Sequence, residues 1–240
     1  MQCKVGIAVS GGPDSMALAV LAKEALGADR VHALIVDHRM QKEGVSEDPE
    51  RVISLLKEQG FKSCSVLPIE WPTNQTPSEA KLMMQAREER YRVLLEACQK
   101  NPLSLLLTGH NLEDDLVTMF YRIAHLSGLD GIAGMKSATN FPFPAPNSAS
   151  CFILRPFLSV PKARLVETCR QSGVQWHADT SNDNLNFRRN ECLQALIDLQ
   201  KDNESLTTDA LSGMLQFFKR QRQHLHEKGK YESIENGNLL

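Results

Sequence analysis

Val5-Gly6-Ile7-Ala8-Val9 runs directly into Ser10-Gly11-Gly12-Pro13-Asp14-Ser15, and then into an apolar, helix-periodic stretch ending at Leu26. A short, mostly branched apolar run reads as a strand buried on both faces, and the glycine pair after it lets the chain turn sharply into a helix. The pattern recurs. Val31 to Val36, Cys64 to Leu67 and Leu103 to Leu107 read as further strands, with helices over Asp14 to Leu26, Glu47 to Gln59 and Ser78 to Cys98 between them. Strands alternating with helices build βαβ units, and right-handed crossovers join such strands in parallel. The expected fold class is therefore α/β, a doubly wound parallel sheet.

Beyond the fourth strand, Leu112, Leu116, Met119, Phe120 and Ile123 fall on one face of a helix over Glu113 to His125, and Gly128, Gly131 and Gly134 break the pattern after it. The proline-rich run from Asn140 to Ser148 continues neither a helix nor a central strand. Phe152 to Leu154 then reads as a strand, with helices over Pro161 to Gln171, Phe187 to Leu199 and Thr207 to Glu227, the last making a small helical C-terminal appendage.

Composition removes several function classes. The net charge of −2 gives no whole-chain electrostatic case for nucleic acid, so RNA contact would need local basic patches. No apolar run approaches the ~18 residues of a membrane span, and the expectation is a soluble protein without a membrane partner. The six cysteines lack any C-x-x-C pair and read as reduced, mostly buried thiols. The first residues enter a strand with no basic leader, so a cytoplasmic location is expected, with a mitochondrial one as the alternative.

The chemistry concentrates after the strands. Ser10-Gly11-Gly12-Pro13-Asp14-Ser15 offers backbone N–H donors, two hydroxyls and a helix start to tetrahedral phosphate oxygens, and Asp14 can hold Mg2+ against them. The same stretch also reads as an ordinary strand-to-helix turn with Asp14 as N-cap. Asp37, in Val36-Asp37-His38-Arg39, should project at the carboxyl end of its strand, or else cap the following turn. Glu113, Asp114 and Asp115 follow Gly109-His110-Asn111, where they hold a cation or complement a helix dipole. In Ala86-Arg87-Glu88-Glu89-Arg90-Tyr91, Arg87 shares the expected buried stripe with Ala80, Met84, Tyr91, Leu94 and Cys98. It then needs an anionic partner, unless it snorkels to the edge.

The first loop resembles the S-G-G-x-D-S signature of the ATP-pyrophosphatase family, of adenine nucleotide alpha hydrolase-like, Rossmann-like fold. It is neither a Walker loop nor a dinucleotide fingerprint. With Val36-Asp37-His38, Ala86 to Tyr91, Leu107 to Asp114, Ser127 to Gly131, Gly134-Met135, Arg155 to Leu158, Trp176 to Asn182 and Arg189-Asn190, the order of motifs resembles tRNA(Ile)-lysidine synthetases over roughly the first 200 residues.

The resemblance implies ATP and Mg2+ as cofactors, with Ser10, Gly11, Gly12, Pro13, Asp14, Ser15 and His110 at the nucleotide and Asp14 as the metal ligand. It implies catalytic roles for Asp14, Asp37, Arg90 and Asp114, the last two seating lysine and cytidine. The partners implied are an isoleucine tRNA with a CAU anticodon and free L-lysine, with a homodimer as an open option. Segment by segment, it implies an ATP-pyrophosphatase core over 1–139, a connector over 140–150, the remainder of the synthetase core over 151–200 and a basic helical tail over 201–240.

The chain departs from the family pattern at two places. Val117 stands where that pattern has glutamate, and Glu191 to Gln194 lack its second basic pair. Lys219, Arg220, Arg222, His224, His226, Lys228 and Lys230 read either as phosphate contacts or as a solvated helix. Two alternatives stay open: another tRNA-modifying enzyme of this superfamily, such as a thiolase, and a relative that binds nucleotide or RNA without turnover.

Overall fold

The computed structural model describes residues 4–39, 48–71, 79–142, 151–177 and 188–235, without the side chains of 79–83, 188–190 and 229–235. Most of the proline-rich run, the part of the Trp176 to Asn182 motif beyond His177, and the side chains of Ala80, Arg189, Asn190 and Lys230 lie outside the described residues.

The chain folds into two compact units, one of Met1–Asn111 with Lys136–Asp183, the other of Leu112–Met135 with Asn184–Leu240. In the first unit the elements are β1 (Val5–Ala8), α1 (Pro13–Leu26), β2 (Val31–Asp37), α2 (Pro49–Glu58), β3 (Cys64–Pro68), α3 (Glu79–Lys100) and β4 (Leu105–Leu107), then β5 (Ala138–Asn140), β6 (Phe152–Leu154) and α6 (Lys162–Gln171). The second unit holds α4 (Leu112–Ala124), α5 (Leu129–Ile132), α7 (Arg188–Asp202) and α8 (Thr208–Glu235).

The sheet order is β3-β2-β1-β4-β6-β5, parallel throughout except for the last pair. Val5 lies opposite both Val31 and Leu105, which makes β1 the central strand. From β1 the chain builds outward through β2 and β3, then returns to place β4 on the other side. The direction reverses between β1 and β4, and the loops that follow these two strands part there, at the crevice where open sheets of this kind bind ligands.

One apolar cluster packs Ile7, Val9, Met16, Leu18, Val20 and Leu56 with Leu165 and Cys169 of α6; another packs Leu34, Leu106 and Ile153 with Tyr91, Leu94 and Cys98 of α3. Each such fully buried side chain contributes roughly 1.5–3 kcal/mol. The expected buried stripe of α3 begins later than its spacing suggested. Met84 is 59% exposed and Arg87 is exposed, because the apolar cluster takes the half of the helix from Tyr91 to Cys98.

The second unit has its own core of Leu112, Leu116, Met119, Leu196, Leu211 and Leu215, while Ile123 at the end of the expected α4 face is 41% exposed. Two elements were not foreseen. Gly128 caps the single turn of α5, and β5 is an antiparallel edge strand whose partner β6 lies on the other side of the proline-rich run. That run joins two neighbouring strands of one sheet in sequence, while the two compact units divide after Asn111, Met135 and Asp183.

Candidate nucleotide-binding site

The loop after β1 is organised by its hydroxyls. Ser15 Oγ accepts from the Ser10 backbone N–H at 3.1 Å, donates to the Gly12 carbonyl at 3.0 Å and lies 3.2 Å from Ser10 Oγ. Gly11 sits at φ +87°, a left-handed conformation open to glycine at little cost. A side chain there would also meet Val52 Cγ2 at 2.8 Å.

The N-cap of α1 is Gly12, and Pro13 opens the helix, so Asp14 is a first-turn residue and not the cap that an ordinary turn would have made of it. Among the described residues, no side chain caps the helix start. A helix start of this kind, with the positive end of the helix dipole at it, favours a nearby anion.

Neighbouring elements buttress this turn. Cys169 of α6 donates its thiol to the Pro13 carbonyl at 3.3 Å; burial and the Asp14 charge beside it push the thiol up to about 11, so it stays protonated. The Lys162 ammonium, at the start of α6, lies 3.9 Å from an Asp14 carboxylate oxygen. A Cβ on Gly109 would approach the Asp14 carbonyl carbon and oxygen at 3.0 Å, so the stretch after β4 runs flush against the first turn of α1. That contact explains the glycine before His110, whose Nδ1 lies 2.9 Å from Thr108 Oγ1. His177 donates its backbone N–H to the Gly11 carbonyl at 2.9 Å. The sequence motif containing His177 was legible, but its contact with the loop was not, and neither was that of Lys162.

A second constellation forms at the ends of β2 and β6. Asp37 accepts from the Arg39 backbone N–H at 2.9 Å and faces the Arg39 guanidinium at 3.8 Å, the turn-capping arrangement weighed as its alternative role. His38 is held down to about 4 by burial and by the nearby Arg90 guanidinium, against a smaller opposing pull from Asp37. Tyr91 stacks edge-on to Phe141, and the guanidinium carbons of Arg87 and Arg90 lie 5.1 Å and 5.5 Å from its ring centre. Burial raises the Tyr91 phenol, but Arg87, Arg90 and Arg155, the last also hydrogen-bonded to it, outweigh burial and bring it below its ordinary value. Arg155 is itself buried and donates to the Lys136 carbonyl and to Thr139 Oγ1. Arg87 therefore meets an aromatic face and a phenol.

Asp114 lies in the second unit, in the first turn of α4, its carbonyl accepting from Thr118 Oγ1 at 2.8 Å. Asp115 beside it is fully buried. It accepts from the Met135 backbone N–H at 2.6 Å and pairs with Lys219 of α8 at 2.6 Å. Burial raises its carboxyl above the ordinary range, with Lys219 and the Met135 N–H opposing. Val117 is buried as well, so neither it nor Asp115 presents a carboxylate to a ligand.

Part of the basic tail is engaged within its own unit. Besides Lys219, Arg222 donates to the carbonyls of Gly134 and Asp130, and His226 Nε2 lies 2.9 Å from Asp130 Oδ1. Arg220, His224 and Lys228 stay exposed.

The PP-loop domain family model matches residues 1–199, the stretch holding the glycine loop and every strand of the sheet. The chain belongs to the PP-loop family. Among curated PP-loop relatives, tRNA(Ile)-lysidine synthase of Methylobacterium nodulans is 32% identical, over 90% of this chain and 59% of that protein. The synthase of Hyphomonas neptunium is 36% identical, over 77% of this chain and 48% of its own. The chain thus spans about half the length of the curated relatives it matches.

The U34-tRNA thiolase NcsA from Methanococcus maripaludis shares the fold at a TM-score of 0.65 and 15% identity, covering 93% of this chain and 72% of that one. The PP-loop fold also relates the chain to the NH3-dependent NAD synthetase of Campylobacter jejuni, at a TM-score of 0.50 and 16% identity over 91% of this chain and 84% of the other. No helix of the described residues is long and apolar enough to cross a membrane.

Proposed function

We propose that this PP-loop protein is an ATP-dependent tRNA-modifying ligase, and specifically a tRNA(Ile)-lysidine synthetase acting on the wobble cytidine of a CAU anticodon. The observation that carries the reading is the phosphate loop. Its hydroxyls interlock, its glycine N-cap leaves the helix start to an anion, and it lies at the switch point of the sheet. The lysidine synthases among its relatives supply the acceptor.

In the proposed reaction the base carbonyl oxygen of the cytidine attacks the α-phosphorus of ATP, and pyrophosphate leaves. The amino group of lysine then attacks the adenylated carbon, the carbon–oxygen bond to AMP breaks, and the amine proton passes to solvent or to a carboxylate. Ser10, Gly11, Gly12, Pro13 and Ser15 hold the phosphates, with His110 beside them and Arg90 opposite developing negative charge. Asp37 shapes the turn next to the nucleotide. Asp114 neutralises the ammonium of the incoming lysine.

The donors at the loop fit Mg2+: a single carboxylate, Asp14, beside phosphate oxygens is how this ion is commonly held, without an all-protein cage. Bound there, Mg2+ would neutralise charge on the leaving pyrophosphate.

One observation favours a second reading, in which the loop serves another acceptor or binds without turnover. Val117 carries no carboxylate and is buried, and Asp115 is committed to Lys219, so neither supplies an anion to the amine of an incoming lysine. An assay of AMP and pyrophosphate release with Mg2+, a CAU-anticodon isoleucine tRNA transcript and labelled lysine separates the two, with Asp14→Ala as control. Incorporation that disappears in the control supports lysidine synthesis. ATP binding without incorporation sinks it in favour of the second reading.

A further inference from the structure

His177 holds a position that no established role explains. Its backbone is tied to the Gly11 carbonyl at 2.9 Å, and its ring lies against the same residue, with Cδ2 3.3 Å from the point a Cβ on Gly11 would occupy. The absence of a side chain at Gly11 is what admits the imidazole to the loop. The next ring atom, Nε2, is buried and has no hydrogen-bond partner among the described residues. An imidazole nitrogen shut away from water without a partner carries an uncompensated desolvation cost, so it stands out as an atom awaiting one.

The surroundings select the partner. Within the same unit, the helix start without a side-chain cap and the Ser10 and Ser15 hydroxyls favour a multiply charged oxyanion over a neutral or cationic group.

We infer that His177 is a polyphosphate-binding residue of the loop, its Nε2–H donating to a phosphate oxygen of the nucleoside triphosphate and of the pyrophosphate it releases. This rests on the nucleotide-binding reading of the loop. In the tautomer required, Nε2 carries the proton and Nδ1 does not. The residue binds and orients, and no bond is made or broken at it. A hydrogen bond to a charged phosphate is the stronger kind, and a backbone already fixed to Gly11 leaves little motion to lose on binding.

The test measures binding of labelled ATP, pyrophosphate and AMP to the full chain with Mg2+, by equilibrium dialysis, for the wild type, His177→Val and His177→Gln. We expect His177→Val to weaken ATP and pyrophosphate roughly tenfold while AMP stays within about twofold, and His177→Gln to keep most of the affinity through its amide N–H. Pyrophosphate bound equally by wild type and His177→Val overturns the inference and leaves the loop reading intact, as does an equal loss for AMP and pyrophosphate. A wild type that binds neither ATP nor pyrophosphate overturns both. Nitrogen NMR of the wild-type imidazole gives the answer without a variant: the Nε2 resonance should move with pyrophosphate and not with adenosine, and a resonance that stays put refutes the role.

Discussion

The turn after β1 and the turn that opens α4 look alike as sequence: each follows a strand, starts a helix and carries carboxylates, yet the protein uses them in opposite ways. In the first, the serines bond to each other and to their own backbone, and Gly12 caps the helix with no side-chain cap among the described residues. In the second, the most buried carboxylate is consumed internally by Lys219 and by the Met135 N–H. Acidic residues at a helix start therefore do not announce a site. What decides is whether their partners lie inside the fold.

The largest expected effect breaks this contrast from the α4 side. Lys219→Met strands the Asp115 carboxylate in the second core and should destabilise that unit by about 3–5 kcal/mol near neutral pH. The sign of the pH dependence follows from the raised folded-state value of Asp115. A carboxyl that holds its proton more tightly in the folded state makes the fold more stable as pH falls through the gap between its unfolded and folded values. Removing Lys219 widens that gap, so the variant should regain stability on acidification where the wild type gains less. Urea unfolding from pH 7 to pH 5 checks it; a loss that stays constant over that range contradicts a buried ionised Asp115.

A smaller effect comes from the loop. Gly11→Ala forces a side chain into a left-handed conformation and against Val52 Cγ2, and should cost about 1–3 kcal/mol in the first unit together with ATP affinity. Adding Val52→Ala relieves the contact but not the backbone strain. Calorimetric melting should therefore recover only in part, and full recovery would place the whole cost on Val52.

The smallest is a slope. His38 is neutral in the fold down to about 4, against an ordinary 6.5, so unfolding takes up a proton below that ordinary value. Its contribution is complete above pH 6.5 and is lost as pH falls toward 4, by about 1 kcal/mol after allowing for its partial exposure. His38→Asn should flatten the acid limb of the wild-type stability curve by that amount. An unchanged limb would mean that the ring already titrates normally.

The parts legible in the sequence were local ones. β1, the glycine loop and α1 are contiguous, their periodicities are strong, and β2 to β4 repeat the same alternation, so the first four strands and their parallel direction followed without tertiary knowledge. Elements of three or four residues, such as β5 and α5, carry too little periodicity to stand out. The roles of Lys219, Arg222 and His177 were hidden for another reason: each depends on a partner far along the chain, and a basic helix written as Lys219-Arg220-Gln221-Arg222 reads the same whether it faces RNA or Asp115. Met84 and Ile123 were misplaced because spacing gives a face and not the length over which that face is covered.

The thiol of Cys169, sealed under the first turn of α1, makes the protein its own chemical clock. Since only a thiolate alkylates rapidly and this one is held protonated and shielded, its modification requires α6 to lift from the Pro13 carbonyl. The half-buried Cys64 and Cys192 provide faster internal references. The lag between them and Cys169 would report how often the floor beneath the phosphate loop opens, and whether a bound nucleotide holds it shut.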